Sequence, residues 1–195
     1  MERLPILAPP ATYRPLGLDH SVTVRPIRPE DEDIEVEFIH ALSPQSLYNR
    51  VFSNSLSLTR EWIDRLTRID FTRDMAIIAT ITLEDRETQI GVARYTRLAN
   101  GTSCEFAVTV ADQWQGCGIG LLLMRELIAI AARSGITEMV GDVLATNNTM
   151  LALARKLGMT SHPHPEGATL RRVVLPLPVT AAAAQPPLAA EAPAP

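Results

Sequence analysis

The sequence predicts an α/β (α+β) fold, with a mixed central sheet of about six or seven strands flanked by about four helices. Three observations lead there. Residues 21–27 alternate between apolar and polar, and 74–83, 89–98 and 102–110 read as further strands. Residues 118–134 are apolar over most of a helical surface, so that helix has to be covered by sheet and neighbours. Gly135 and Gly158 stand where glycines end helices, each ahead of another strand-like run.

The elements follow in order. Residues 1–20 hold several prolines and no periodicity and read as a flexible arm. After the first strand, Pro29 suits the opening turn of a helix, and the acids behind it belong there. Ile34, Phe38, Ile39 and Leu42 share one face of that helix. Ser43-Pro44 closes it and opens a segment over 45–52. A helix over 57–68 carries Leu58, Trp62, Leu66 and Ile69 as its stripe. Strands 74–83 and 89–98 form a hairpin around Glu84-Asp85-Arg86-Glu87, and Asn100-Gly101 turns the chain into 102–110. With the first strand these make an antiparallel sheet. The helix over 118–134 has only Arg125, Glu126 and Arg133 as a polar stripe. A strand over 138–145, a helix over 148–157 and a hairpin of 159–162 with 169–175 complete a domain over 21–178. Residues 179–195 are Ala/Pro-rich without a core pattern and read as a disordered tail.

The length of 195 residues suits one domain of roughly 150–160 residues plus tails. No apolar run reaches the ~20 residues needed to span a bilayer. The Pro-broken start is unlike a secretory signal, so the cytoplasm is the expected setting. Two cysteines, Cys104 and Cys117, imply no disulfide framework. A net charge of −4 argues against general nucleic-acid binding and leaves room for cationic partners. The acidic run from Glu30 to Glu37 reads first as a solvated helix start and second as a docking surface for a lysine-bearing protein. His162 and His164 alternate around Pro163, but no third ligand completes a metal site, so no metal is expected there.

Gln113-Trp114-Gln115-Gly116-Cys117-Gly118-Ile119-Gly120 is the most informative stretch. Glycines at alternate positions let the backbone turn tightly and bring N–H groups close to a ligand. The helix that follows aims its N-terminal dipole at the same place, which suits a pyrophosphate. A P-loop is excluded because Leu121 follows Gly120 where Lys is needed. A dinucleotide site needs Gly-x-Gly-x-x-Gly, whereas the spacing here is Gly-x-Gly-x-Gly; Asp142, at the distance of its acidic partner, falls inside a strand.

The loop resembles the cofactor loop of the GNAT superfamily of acetyl-CoA-dependent N-acetyltransferases, Gln/Arg-x-x-Gly-x-Gly/Ala, through Gln115, Gly118 and Gly120. Three more segments stand in the family's order: Val24-Arg25-Pro26-Ile27-Arg28-Pro29-Glu30-Asp31, the strand from Cys104 to Val110, and the stretch from Asn147 to Met159. The segments Leu42-Ser43-Pro44-Gln45-Ser46-Leu47-Tyr48-Asn49-Arg50 and Leu66-Thr67-Arg68-Ile69-Asp70 are similar to the GNAT domain of Pat-type bacterial protein lysine acetyltransferases. The resemblance covers about residues 21–177. In that family the domain is often fused to a regulatory domain, for which this chain is too short, so a free-standing version is implied.

The resemblance implies acetyl-CoA as cosubstrate. Backbone N–H groups of Gln115, Gly116, Cys117, Gly118, Ile119 and Gly120, with Leu121, would cradle its pyrophosphate, and the backbone of Val108 and Val110 would pair with the pantetheine arm. Asn147 either contacts the pantetheine or caps its helix. Arg or Lys often fills the position of Cys117, so a supporting charge is missing; a reactive thiolate there is the less simple reading than a small residue at a permissive place. Glu105 is the candidate general base, on one strand face with Ala107 and Thr109. Partial burial would push such a carboxyl toward useful basicity, and a solvated edge charge is the alternative. Pat-type domains carry a catalytic Glu in a similar strand. The Tyr that many members use as general acid is replaced by Ala154, which leaves the acid unassigned.

Three functions follow from this reading. The first is acetyl transfer to a lysine amine of cytoplasmic proteins by direct attack, with acyl-CoA synthetases as one candidate class. The second is N-acetylation of a small amine or amino acid. The third is a non-catalytic module that senses acetyl-CoA. Either a monomer or a homodimer is compatible with the apolar last strand.

Overall fold

The computed structural model describes residues 10–15, 19–51 and 59–178. The expectations for residues 1–9, 16–18, 52, 57–58 and 179–195 lie outside those residues. In chain order the elements are β1 Ala11–Tyr13, β2 Val22–Pro26, α1 Glu32–His40, α2 Pro44–Val51, α3 Arg60–Thr67, β3 Asp74–Leu83, β4 Arg86–Arg97, β5 Ser103–Val110, α4 Ile119–Arg133, β6 Glu138–Leu144, α5 Asn148–Lys156, β7 Thr160–His164 and β8 Gly167–Pro176. One sheet holds eight strands in the order β1-β2-β3-β4-β5-β6-β8-β7, more than the six or seven expected. The addition is β1, inside the stretch whose sequence shows no periodicity. Its three residues pair with β2, and the Tyr13 hydroxyl donates to Glu126 Oε1 of α4 at 2.6 Å. Tertiary pairing, not local pattern, makes this strand.

Every neighbouring pair of strands is antiparallel except β5 with β6. Leu123, Met124, Leu127 and Ile130 of α4 pack on one face of the sheet with Met75, Ile77, Ala93 and Phe106. On the other face Phe38 and Ile39 of α1 and Ile63 of α3 cover Ala76, Ile78 and Val92. The buried anchor of α3 is therefore Ile63, while Trp62, Leu66 and Ile69 lie half-buried around it. The β3–β4 turn is tighter than expected. Glu84 and Asp85 alone carry it, both with positive φ (48° and 61°), the two-residue form that matches strand twist. Arg86 and Glu87 join β4 instead, where Glu87 accepts from Arg25 Nε at 3.0 Å and Thr80 Oγ1 at 2.8 Å.

The acidic run divides. Glu30, Asp33 and Glu37 are exposed, as a solvated helix start requires. Asp31 and Glu35 turn inward. Asp31 receives both terminal nitrogens of Arg25 at 2.6 and 2.7 Å. Glu35 is fully buried and accepts from Arg94 Nη2 at 2.9 Å and from the Gln89 amide. Such buried charges persist only when fully paired.

Candidate functional site

The β5–β6 seam opens at one end. Parallel pairing covers only Ser103, Cys104 and Glu105 against Glu138, Met139 and Val140. Beyond it β5 keeps β4 as its partner up to Val110. The phase of that ladder fixes which groups face the opening. Leu98 N donates to Ser103 O at 2.8 Å, and Ala111 N donates to Ile90 O at 2.9 Å. By antiparallel alternation, Glu105, Ala107 and Thr109 turn their backbone groups to β4. Val108 and Val110 therefore present theirs toward the side where β6 has departed. The Val110 carbonyl already takes a bond from Gln115 Nε2 at 3.0 Å. The two strands are wedged by Phe106, whose ring lies on Gly141: a Cβ there would meet Phe106 Cε1 at 2.6 Å.

The glycine loop stands at the mouth of this opening. Gly116 and Gly118 have φ of 79° and 83°, left-handed values that any residue with a Cβ adopts only under strain. Gly118 is the N-cap of α4, and the helix's first intrahelical bond runs from Leu122 N to Gly118 O at 3.0 Å. The N–H groups of Ile119, Gly120 and Leu121 thus have no carbonyl a turn behind them within the helix. Gln115, Gly116 and Gly118 are exposed and Cys117 is half-buried, its thiol 3.7 Å from Gln115 O. Together these groups make a donor-rich end of helix suited to an anion. Gly120 is less exacting, since an added Cβ would meet Leu153 Cδ2 at 3.4 Å, a tight but adjustable contact.

Glu105 lies on the opposite face from α4. Register places it in line with Val140 of β6 and Val174 of β8, and Asp142 and Arg172 sit two residues further along on the same face. Glu105 and Ala107 are exposed, so the partial burial expected of Glu105 is absent: α1 and α3 cover β3 and β4 and stop short of this part of β5. Arg172 donates through Nε and Nη2 to both oxygens of Asp142 at 2.8 Å. This pair holds the Asp142 carboxyl below the usual carboxylate range, against the effect of its burial. Asp142 chiefly raises the Arg172 guanidinium, with smaller contributions from Glu105 and Glu166. His164 is buried; its Nδ1 accepts from Glu166 N at 3.1 Å, so Nε2, 3.1 Å from Asp142 Oδ2, carries the hydrogen. His162 instead faces solvent 3.0 Å from Thr160 Oγ1. Among the described residues no group of three His, Cys, Asp or Glu could hold a metal ion.

Asn147 caps α5, its side chain accepting from Met150 N at 3.0 Å. Ala154, which stands where the resemblance leads one to expect a Tyr, is buried. The sequence singled out the loop and Glu105. It did not single out the Asp142–Arg172–His164 cluster, whose members lie 22 and 30 residues apart and meet only by strand register.

A family model described as an acetyltransferase (GNAT) domain matches residues 21–160. The chain belongs to the GNAT acetyltransferase family. Acetyltransferase PA5475 of Pseudomonas aeruginosa is 34% identical over 148 residues, 76% of this chain and 80% of that protein. Acetyltransferase Pat of Mycolicibacterium smegmatis is 31% identical over 140 residues, 69% of this chain and 40% of its own length. Among solved structures, the GNAT domain of S. lividans PAT superposes with a TM-score of 0.77 at 26% identity, over 86% of this chain and 97% of that one. As a GNAT acetyltransferase the chain is an acyltransferase, and the loop and seam described above lie within the matched residues. No helix among the described residues is long and apolar enough to cross a membrane.

Proposed function

We propose that this GNAT protein transfers an acetyl group from acetyl-CoA to a lysine amine of a protein, by direct attack with Glu105 as general base. The observation that carries the reading is the joint placement of an anion-binding loop, an open backbone edge and a carboxylate around one strand, β5. Acetyl-CoA supplies an activated thioester acyl group when bound. The N–H groups from Gln115 to Leu121 would hold its pyrophosphate. Along the seam, the backbone of Val108 and the N–H of Val110 would hold its pantetheine arm, with Asn147 across the gap keeping an amide nitrogen to spare. A solved structure of yncA from Salmonella typhimurium contains acetyl-CoA and superposes with a TM-score of 0.64 at 20% identity, a likeness of fold.

The amine arrives protonated, because a lysine side chain has a pKa of about 10.4 in water. Glu105 lies where an amine entering from the α1–α2 side would meet the seam, and it takes that proton. Glu105 is exposed and Ala107 beside it is exposed, which leaves the amine side open enough for a protein chain. The negative charge there suits an ammonium group. No phenol reaches the leaving thiolate from α5, so water completes the proton balance. Protein lysine as the amine source is supported by the resemblance to Pat-type domains, with which the likeness to the GNAT domain of S. lividans PAT and to acetyltransferase Pat agrees. The cytoplasm is the setting in which this cosubstrate and these acceptors meet.

The test uses acyl-labelled acetyl-CoA with a cytoplasmic extract, and the Glu105→Gln variant beside the parent protein. Label enters discrete protein bands, and the variant loses about 10²–10⁴-fold in rate while still binding acetyl-CoA. Label confined to small molecules would move the acceptor to that class. Tight binding with no label anywhere would make the protein a sensor.

A further inference from the structure

Hydrogen bonds centred on the Asp112 carboxylate fasten the first turn of α2 to the entrance of the glycine loop. Asp112 follows β5 with only Ala111 between. Its Oδ2 accepts from Ser43 N at 2.9 Å, and its Oδ1 accepts from Ser43 Oγ at 2.6 Å and Ser46 Oγ at 2.8 Å. The Ser43 hydroxyl also accepts from Ser46 N at 3.2 Å, so one serine caps the helix and reaches Asp112. Ser46 Oγ in turn accepts from Gln115 Nε2 at 3.1 Å, and the same nitrogen donates to the Val110 carbonyl at 3.0 Å.

The hydrogens in this network all run one way. The Gln115 amide donates to Ser46, and Ser46 donates to Asp112. Aligned chains of this kind polarise one another. Burial pushes the Asp112 carboxyl up, but the hydrogen bonds from Ser43 and Ser46 outweigh it and hold the group below the usual carboxylate range. Asp112 is therefore an anion at neutral pH, placed at the N-terminus of α2, where the helix dipole favours it.

The three things joined here belong to different substrates in the reading above. Gln115 heads the glycine loop, the Val110 carbonyl lies on the open edge of β5, and α2 stands on the side from which the amine enters. We infer that Asp112 is a positioning residue that couples the glycine loop to α2, so that acetyl-CoA bound at the loop orders the amine-side helix through Gln115 and Ser46. The inference rests on acetyl-CoA as donor. Asp112 touches neither substrate. The coupling is reciprocal: whatever orders α2 tightens donor binding by the same factor.

Hydrogen exchange resolved by peptide tests this without knowledge of the acceptor. In the parent protein acetyl-CoA slows exchange at residues 116–121 and also in the α2 peptide, residues 43–51. Asp112→Asn removes the anion and turns amide hydrogens toward Ser43; Ser46→Ala removes the bonds of Ser46 Oγ to Gln115 and to Asp112 and leaves the Ser43–Asp112 bonds. In both variants acetyl-CoA protects 116–121 alone, and its Kd rises about three- to tenfold. A merely structural role would speed exchange in α2 with and without ligand and keep the ligand-induced difference. Persistence of that difference in both variants, or its absence from a parent protein that binds acetyl-CoA, would overturn the inference. A parent protein that fails to bind acetyl-CoA in direct titration would overturn the donor reading and, with it, this one.

Discussion

Gly141→Ala is the sharpest probe of the seam. The substitution adds one carbon to β6 at a position whose backbone any residue adopts, so only packing is at stake. The new Cβ would sit 2.6 Å from Phe106 Cε1 and 2.9 Å from Cζ, where ordinary contact begins at 3.4 Å. The ring has to retreat by nearly 1 Å, and Phe106 is a buried member of the α4-side core with its neighbours already close-packed. Overpacking of this kind costs about 1–3 kcal/mol. For a domain of this size that lowers Tm by about 2–4 °C per kcal/mol, so a fall of about 2–12 °C is expected. Thermal and urea unfolding followed by circular dichroism read it out. The double variant Gly141→Ala with Phe106→Leu removes the ring edge and should recover part of the loss, a coupling that a double-mutant cycle quantifies. A single variant as stable as the parent would refute the reasoning, because it would mean that Phe106 does not wedge the seam.

Other outcomes follow from the same geometry. Gly118→Ala meets no atom within 4 Å, so its cost is backbone strain alone, about 1–2 kcal/mol, with weaker acetyl-CoA binding in titration. A thiol reagent should modify Cys117 quickly and Cys104 only after unfolding, since burial pushes the Cys104 thiol up to about 12; bound acetyl-CoA should protect Cys117. The hydrogen bond to Glu126, with burial, raises Tyr13 to about 12. Its contribution is fully present below the ordinary tyrosine value near 10 and is lost as pH rises from about 10 to 12, so Tyr13→Phe should flatten the alkaline limb of stability against pH.

Local chemistry made much of this fold legible. The alternating strands, the Asn100-Gly101 turn, the glycines at 135 and 158 and the loop at 115–120 each carry their signal within a few residues. Gly101, Gly135 and Gly158 have φ of 72°, 76° and 81°, the conformations for which those positions were read. What escaped was set by partners far along the chain. β1 becomes a strand through β2 and Glu126. The inward turn of Asp31 and Glu35 depends on Arg25 and Arg94, which only strand register brings beneath α1. In a run of acids, nothing local says which carboxylates face in. The loop was equally readable, but the Ser43–Asp112 and Ser46–Gln115 bonds each join residues 69 apart and left no local trace. Glu105 was legible as a residue, while its exposure was not, because that depends on where α1 and α3 end.

The three-residue parallel ladder between β5 and β6 has a thermodynamic consequence. Everything from β1 to β5 is tied by sequential hairpin-like pairing, and β6, α5, β7 and β8 form a second antiparallel block. Between them run that short ladder, the flanking bond from Thr137 N to Thr102 O, and the packing of α4. The seam is thus the natural boundary between two cooperative units. In the proposed reading, acetyl-CoA laid along it would act as a staple. Its binding energy adds to the cohesion of the blocks by mass action, about 2.7 kcal/mol at a hundredfold excess over Kd. The protein's resistance to unfolding becomes a reading of how much donor surrounds it.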